Sequence, residues 1–301
     1  MEKQEIYSLM KTILETEKEL SAGMAAIRVL LKVLEKSNSK TIQELREQLI
    51  DAIAILRTCD CPITAINSGS ELFLRFITLT ALDTQPFEEC KKIMLDRGNT
   101  FYERLVESRQ IIAQRASIYL YGGQTILTHS RSRVVLAAMK RAAEKKCRFR
   151  VYITQSTPDT SGAEMVQNLR DLGIPCTMIL DSAMGYIMES VDFCMVGAEG
   201  VCQSGGIINK IGTYQMALCA KALNKRFLVM AETFKFTQTF PLNNRDLEPE
   251  YKFTHSMLKK DTAEQHPLVD YTPPELINLF ITDIGILPPT AVADELLKLY
   301  L

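Results

Sequence analysis

Asp192-Phe-Cys-Met-Val-Gly-Ala-Glu-Gly200, followed by Gly205-Gly-Ile-Ile-Asn-Lys-Ile-Gly-Thr213, decides how this chain is read. Phe193 to Val196 is a short apolar run of the kind that forms a strand buried on both faces. It ends on Gly197 and an acid, Glu199. A glycine-rich loop follows, and Asn209, Lys210 and Thr213 are expected to open an amphipathic helix. A strand end, a loop and a helix start bring backbone N–H groups, a lysine and a carboxylate into one small volume. Open α/β sheets build anion pockets in this way.

Further apolar runs lie on both sides, at 124–128, 149–154, 176–180 and 227–231. The stretches between them are long enough for crossover helices. This alternation predicts an α/β fold with a Rossmann-like parallel sheet. Residues 1–121 read differently, as helices with no convincing strand. Ile6, Leu9, Met10, Ile13 and Leu14 recur at helical spacing, and Ala26, Leu30, Leu31 and Leu34 do so in a second helix. Thr41-Ile-Gln-Glu44 is a capping box, in which the Thr41 hydroxyl accepts from the backbone of Glu44 and the Glu44 side chain reaches back. Gly122-Gly123 marks the boundary. The expected organisation is an N-terminal all-helical domain over 1–121, then a Rossmann-like α/β domain over 122–301 that carries a dimerisation surface. The tail is expected to alternate helical segments with the turns Pro273-Pro274 and Pro288-Pro289. It ends in a helix, Ala291 to Leu301, apolar enough to dock on a domain or on another subunit.

Composition narrows the function classes. The 301 residues are 47% hydrophobic and 24% charged, as in a globular protein with a full core. A net charge of −1 gives no global attraction to nucleic acid or to an anionic membrane. The first residues carry no apolar signal region, and no stretch reaches the ~20 uninterrupted apolar residues of a membrane span. A cytosolic location is the expectation, with the eight cysteines as free thiols. Cys59-Asp-Cys61 is too tight for a zinc knuckle and lacks a second pair, so no metal is expected.

The strand ends supply the candidate site. They are His129-Ser130-Arg131, Thr154-Gln-Ser156, Asp181-Ser182, Gly197-Ala-Glu199 and Glu232-Thr-Phe-Lys235. Together, His129, Ser130, Arg131, Glu199, Asn209, Lys210 and Lys235 make a phosphate-friendly set. Neighbours on a strand end face opposite ways, so His129 is poorly placed to deprotonate Ser130. No Gly-x-Ser-x-Gly elbow, dinucleotide fingerprint or Walker A loop occurs. No cofactor is expected; the ligand class is a sugar phosphate or nucleotide phosphate.

Taken together, Gly122-Gly-Gln-Thr-Ile-Leu-Thr-His129, Val196-Gly-Ala-Glu199, Gly206-Ile-Ile-Asn-Lys-Ile-Gly-Thr213 and Ala231-Glu-Thr-Phe-Lys-Phe236 resemble one superfamily. It joins the isomerases of methylthioribose-1-phosphate and ribose-1,5-bisphosphate to the regulatory subunits of translation initiation factor 2B. The resemblance implies that the isomerases carry a cysteine where Ser130 stands and an aspartate where Glu199 stands. Those two groups shuttle protons between sugar carbons. A serine hydroxyl is a far weaker acid than a thiol, and glutamate displaces the carboxylate by about one methylene. Asn209, Lys210 and Lys235 match the phosphate side of the isomerases, while Ala25-Ala-Ile-Arg28 replaces their glycine-rich phosphate loop.

The resemblance therefore implies a non-catalytic regulatory subunit that keeps a vestigial pocket. Glu71-Leu-Phe-Leu-Arg-Phe76, Cys90-Lys-Lys-Ile-Met94, Gly185-Tyr-Ile-Met-Glu189 and the ending Asp294 to Leu301 point to the shortest subunit type of the regulatory branch. Its implied partners are a second copy of itself, the beta, gamma, delta and epsilon subunits of initiation factor 2B, and the phosphorylated alpha subunit of initiation factor 2. The homodimer is expected to join two halves into a decamer that exchanges guanine nucleotide on initiation factor 2. The Thr41 to Glu44 helix start is the candidate regulatory contact, and an ordinary helix cap explains the same residues. Two other readings remain open: an active aldose–ketose isomerase using Glu199, and a metabolite sensor whose pocket tunes assembly.

Overall fold

Helices fill the first third of the chain because its apolar residues recur at helical spacing. The computed structural model describes residues 2–17, 19–59, 63–78, 86–247 and 267–300. Two compact units divide between Glu107 and Ser108, inside one long helix, α5 (Phe87–Ala116). The other helices of the first unit are α1 (Lys3–Thr16), α2 (Ala22–Lys36), α3 (Ile42–Leu56) and α4 (Ile63–Thr78). Helix α2 is its centre. Ala25, Ala26, Ile27, Val29, Leu30 and Leu34 are all buried, and α1, α3 and α4 pack around it. A Cβ at Gly98 of α5 would lie 2.6 Å from the Leu31 side chain, so only glycine permits that approach. Ser68-Gly-Ser70, expected to precede a helix, lies inside α4.

Helix α3 opens on the predicted cap. Thr41 has extended backbone and its hydroxyl accepts from the Glu44 N–H at 3.2 Å. The Glu44 carboxylate accepts from the Lys40 N–H at 2.9 Å. Two of the N–H groups at this helix end thus find partners within five residues.

The second unit is the α/β part. Its main sheet has seven strands in the order β11-β10-β7-β4-β1-β2-β3. These are β1 (Thr125–Thr128), β2 (Arg150–Thr154), β3 (Cys176–Ile179), β4 (Phe193–Gly197), β7 (Arg226–Met230), β10 (Leu279–Ile281) and β11 (Ile286–Leu287). All neighbours are parallel except β10 and β11. Helices α6 (Arg133–Glu144), α7 (Ser161–Asp171), α8 (Met184–Met188) and α9 (Thr213–Ala222) are the crossovers. The central strands β1, β4 and β7 are buried at nearly every position because both faces are covered. Ile126, Ile153, Phe193, Met195 and Leu228 meet Val135, Met139, Met165 and Leu169 in one buried cluster.

A second sheet of four strands follows the order β8-β5-β6-β9. Its strands are β5 (Gly200–Cys202), β6 (Ile207–Lys210), β8 (Phe236–Thr237) and β9 (Val269–Thr272). It corrects two expectations. Asn209 and Lys210 end strand β6 rather than opening a helix, because Asn209 pairs with Asp270 and Lys210 with Val269 across the antiparallel ladder. The helix begins only at Thr213, after Gly212 turns the chain at φ 104°. The tail is likewise not mainly helical: it contributes β9, β10 and β11, with single 3-10 turns after each proline pair. The last helix, Val292–Tyr300, buries Val292 and Leu296 and leaves Leu297 exposed. Asp60 and Cys61 of the Cys59-Asp-Cys61 motif, and His255 and His266, lie outside the described residues.

Candidate functional site

The main sheet reverses its direction of growth between β1 and β4: from β1 the chain builds outward through β2 and β3, then returns to lay β4 on the other side. In open α/β sheets the crevice at such a switch point, beyond the strand C-termini, is where ligands bind. His129 and Ser130 leave β1 there, and Gly197 ends β4 there. A Cβ at Gly197 would stand 2.4 Å from the Ser132 hydroxyl, so glycine is needed to let the β1 loop close over β4.

His129 is buried, and its hydrogen bonds fix its tautomer. Nε2 lies 2.8 Å from the Ile211 carbonyl, which only accepts, so Nε2 carries the proton. Nδ1 then accepts from the Thr154 hydroxyl at 2.6 Å. The chain of donors continues: the Ser156 hydroxyl reaches Thr154 Oγ1 at 2.9 Å, and the Ser130 N–H donates to Ser156 Oγ at 2.8 Å. Burial pushes the imidazole down to about 4, outweighing the bond to Ile211. His129 is therefore a neutral strut with both nitrogens engaged.

Ser130 adopts the left-handed backbone region, φ 61°, which costs a non-glycine residue roughly 1–2 kcal/mol. Its hydroxyl donates to Ser161 Oγ at 3.0 Å. Ser161 is the first residue of α7. The Lys210 ammonium also donates to Ser161 Oγ, at 2.9 Å, and pairs with the Asp159 carboxylate. Burial opposes the charge on Asp159, but the bonds from Lys210 and Ser161 prevail and hold its carboxyl below the usual range.

Glu199 lies between β4 and β5. Burial raises its carboxyl to about 7, although Lys235 and Lys210 both pull it down. Lys235 itself sits 2.8 Å from the buried Glu232, whose carboxylate also has Arg109 at 3.9 Å. For Glu232 burial is again the largest influence, yet Lys235 and Arg109 outweigh it and leave the carboxyl lowered. Arg131 faces α7, donating to Asn168 Oδ1 at 3.0 Å. Asn209 donates to Thr213 Oγ1 at 3.0 Å and so holds the start of α9.

The structure thus joins Ser130 and Lys210 through Ser161, couples Glu199 electrostatically to both lysines, and uses His129, Arg131 and Asn209 as positioning groups. Thr41 and Glu44 belong to the helical unit. Sequence reasoning missed Asp159, Ser161 and Asp270. The first two carried a signal: Asp159-Thr-Ser161 is an Asx-type turn ahead of a helix, with Asp159 Oδ1 accepting from the Ser161 N–H at 2.8 Å. Asp270 carried none, because its place depends on pairing between β6 and β9. Its carboxylate accepts from the Gly212 N–H at 2.7 Å and the Tyr214 N–H at 3.1 Å, and burial raises it to about 7. Among the described residues, no cluster of three or more His, Cys, Asp or Glu is arranged to hold a metal, and no helix is long and apolar enough to cross a membrane.

Fold and site define a helical region joined to a Rossmann-like α/β unit, with His129, Ser130 and Glu199 beside the strand ends at its switch point. Residues 15–289 match the Initiation factor 2 subunit family. The chain is 38% identical over the full length of both chains to translation initiation factor eIF2B subunit alpha of Caenorhabditis elegans. It is 40% identical to the protein of that name from Dictyostelium discoideum, over 96% of this chain and 94% of the other. A ribose 1,5-bisphosphate isomerase of Archaeoglobus fulgidus is 31% identical over 88% and 83% of the two chains. The fold matches a chain of the tetrameric eIF2B beta2-delta2 complex from C. thermophilum, with TM-score 0.77, 19% identity, and 98% and 94% of the two chains covered. The chain belongs to the Initiation factor 2 subunit family.

Proposed function

We propose that this chain is the alpha-type regulatory subunit of translation initiation factor 2B and catalyses no reaction of its own. The full-length similarity to the alpha subunits supports the role. The state of Ser130 carries the non-catalytic reading. Where the isomerases of the superfamily are expected to hold a thiol, this hydroxyl donates to another hydroxyl, Ser161, rather than directly to a base. Its hydrogen-bond partner Ser161 is held by a lysine already paired to Asp159, and His129 has both nitrogens engaged. An aldose–ketose isomerisation needs a proton carrier on the sugar carbons, and the hydrogen bonds of Ser130 among the described residues do not make its hydroxyl one.

The subunit homodimerises through its α/β unit and joins two beta-gamma-delta-epsilon halves. The face at Thr41 and Glu44 contributes to sensing the phosphorylated alpha subunit of initiation factor 2. Because Glu44 already fills the helix end, this face meets residues flanking the phosphoserine rather than the phosphate itself. Thr41→Ala combined with Glu44→Lys is expected to weaken binding of phosphorylated, but not unphosphorylated, initiation factor 2 in pull-down titrations; equal retention of both forms rejects this contact. The pocket retains Asn209, Lys210 and Lys235 and binds a sugar phosphate or nucleotide phosphate without turning it over.

One observation favours the isomerase alternative: a carboxyl raised to about 7, as on Glu199, suits general acid–base work at neutral pH. A coupled assay with ribose-1,5-bisphosphate and methylthioribose-1-phosphate decides. The proposal predicts no interconversion above the enzyme-free blank. Turnover that disappears in Glu199→Gln would establish the isomerase instead.

A further inference from the structure

We infer that Asp159 is an internal stand-in for a ligand's phosphate: its carboxylate fills the seat built by Lys210 and Ser161, and a phosphate monoester binds there by displacing it. This rests on the reading of the pocket as a phosphate-binding site and adds how that site is regulated.

The seat has the donors that hold phosphate: a lysine ammonium, a serine hydroxyl and a backbone N–H at a helix start. Asp159 Oδ1 takes two of them, the Lys210 ammonium and the Ser161 N–H. Ser130 and Lys210 both donate to Ser161 Oγ, so its own proton turns to the anion, and the Ser161 side chain is among the bonds that hold the Asp159 carboxyl low. The two ends of the Lys210–Asp159 pair are unequal. The lysine side chain is 10% exposed and the aspartate side chain 51%. The buried cation stays in place, while the carboxylate has solvent to move into.

The loop carrying Asp159 is fixed behind it. The Asp181 carboxylate accepts from the Ser156 N–H at 2.7 Å, the Thr157 N–H at 3.0 Å and the Thr157 hydroxyl at 2.7 Å. Beyond it, α7 begins at Ser161. The movable piece is therefore Pro158 to Thr160. A half-exposed ion pair contributes on the order of 1 kcal/mol or less. A phosphate monoester brings more charge and three acceptor oxygens, enough to outcompete one carboxylate. The consequence is a threshold. The seat ignores monoanionic carboxylates and answers to phosphorylated ligands only at concentrations that overcome Asp159.

Asp159→Asn isolates the charge, because an amide oxygen still accepts from the Ser161 N–H. The experiment is isothermal titration of ribose 5-phosphate, with ribose as control, into wild type, Asp159→Asn and Lys210→Met. Unfolding curves establish that all three are folded. The inference predicts that Asp159→Asn binds roughly fivefold tighter than wild type, one kcal/mol being about that factor, and that Lys210→Met loses binding. Measurable binding by Asp159→Asn alone supports it equally. Equal or weaker binding by Asp159→Asn, with loss in Lys210→Met, overturns the displacement and leaves the pocket standing. Binding unaffected by Lys210→Met, or absent from wild type and Asp159→Asn alike, overturns the pocket reading itself.

Discussion

At the scale of single residues, buried titratable groups set how this protein responds to pH. Glu199 and Asp270 are both raised to about 7 in the fold, from ordinary values of 4.5 and 3.8. A carboxyl whose folded value lies above its unfolded value stabilises the fold fully below the unfolded value. That contribution is lost as pH rises through the folded one. Glu199 therefore costs stability between about pH 4.5 and 7, by up to roughly 3 kcal/mol at the usual 1.36 kcal/mol per pH unit. Glu199→Gln is expected to unfold at a higher temperature than wild type at pH 8 and at nearly the same temperature at pH 4.5. Calorimetry at the two pH values checks this, and a gap that does not widen with pH counts against a buried, protonated Glu199. His129 works in the opposite sense. Its folded value of about 4 lies below the ordinary 6.5, so stability falls as pH drops from 6.5 towards 4. His129 and Glu199 were visible as candidates in the sequence because they stand at or beside strand ends, and Lys210 because it follows a glycine-rich loop. That His129 is a neutral strut was not visible, since its partners Thr154 and Ile211 arrive from 25 and 82 residues away.

At the scale of elements, the legible parts were those with their own periodicity or cap. Helix α3 is the clearest case, with its Thr41 cap written in four residues. Thr41→Ala is expected to cost about 1 kcal/mol, a typical loss for an N-cap, and a denaturant titration measures it. Helix α7 depends instead on a close approach. A Cβ at Gly162 would stand 2.3 Å from the Thr154 carbonyl oxygen and 2.4 Å from that of Gln155. Gly162→Ala is expected to destabilise by about 1–3 kcal/mol, as overpacking does, and to weaken ligand binding by shifting Ser161. A variant as stable as wild type contradicts the close packing of α7 on β2. The four-stranded sheet was the illegible element. Its strands are two to four residues long and without clear alternation, and they are held by pairing across long separations. Ile207 to Lys210 looks locally like a loop running into a helix. Only the ladder to Val269–Thr272 makes it a strand.

At the scale of the whole molecule, the α/β architecture was legible because parallel strands buried on both faces announce themselves as apolar runs. The start of the helical region was equally plain from its spacing. What the sequence could not display was the site as a connected object. Glu199 and Lys210 come from the two inner strands of the second sheet, just before β5 and at the end of β6, Ser130 from the end of β1 and Ser161 from α7, and only the strand order brings them together. The proposed function places a ligand seat inside a subunit that dimerises and joins two exchange-factor halves. Sedimentation velocity of the purified chain, alone and then with the beta, gamma, delta and epsilon subunits, tests that claim most directly. The account predicts a dimer alone and, on mixing, a single faster species containing two copies of every subunit. A chain that stays monomeric and leaves the sedimentation of the other subunits unchanged would contradict it.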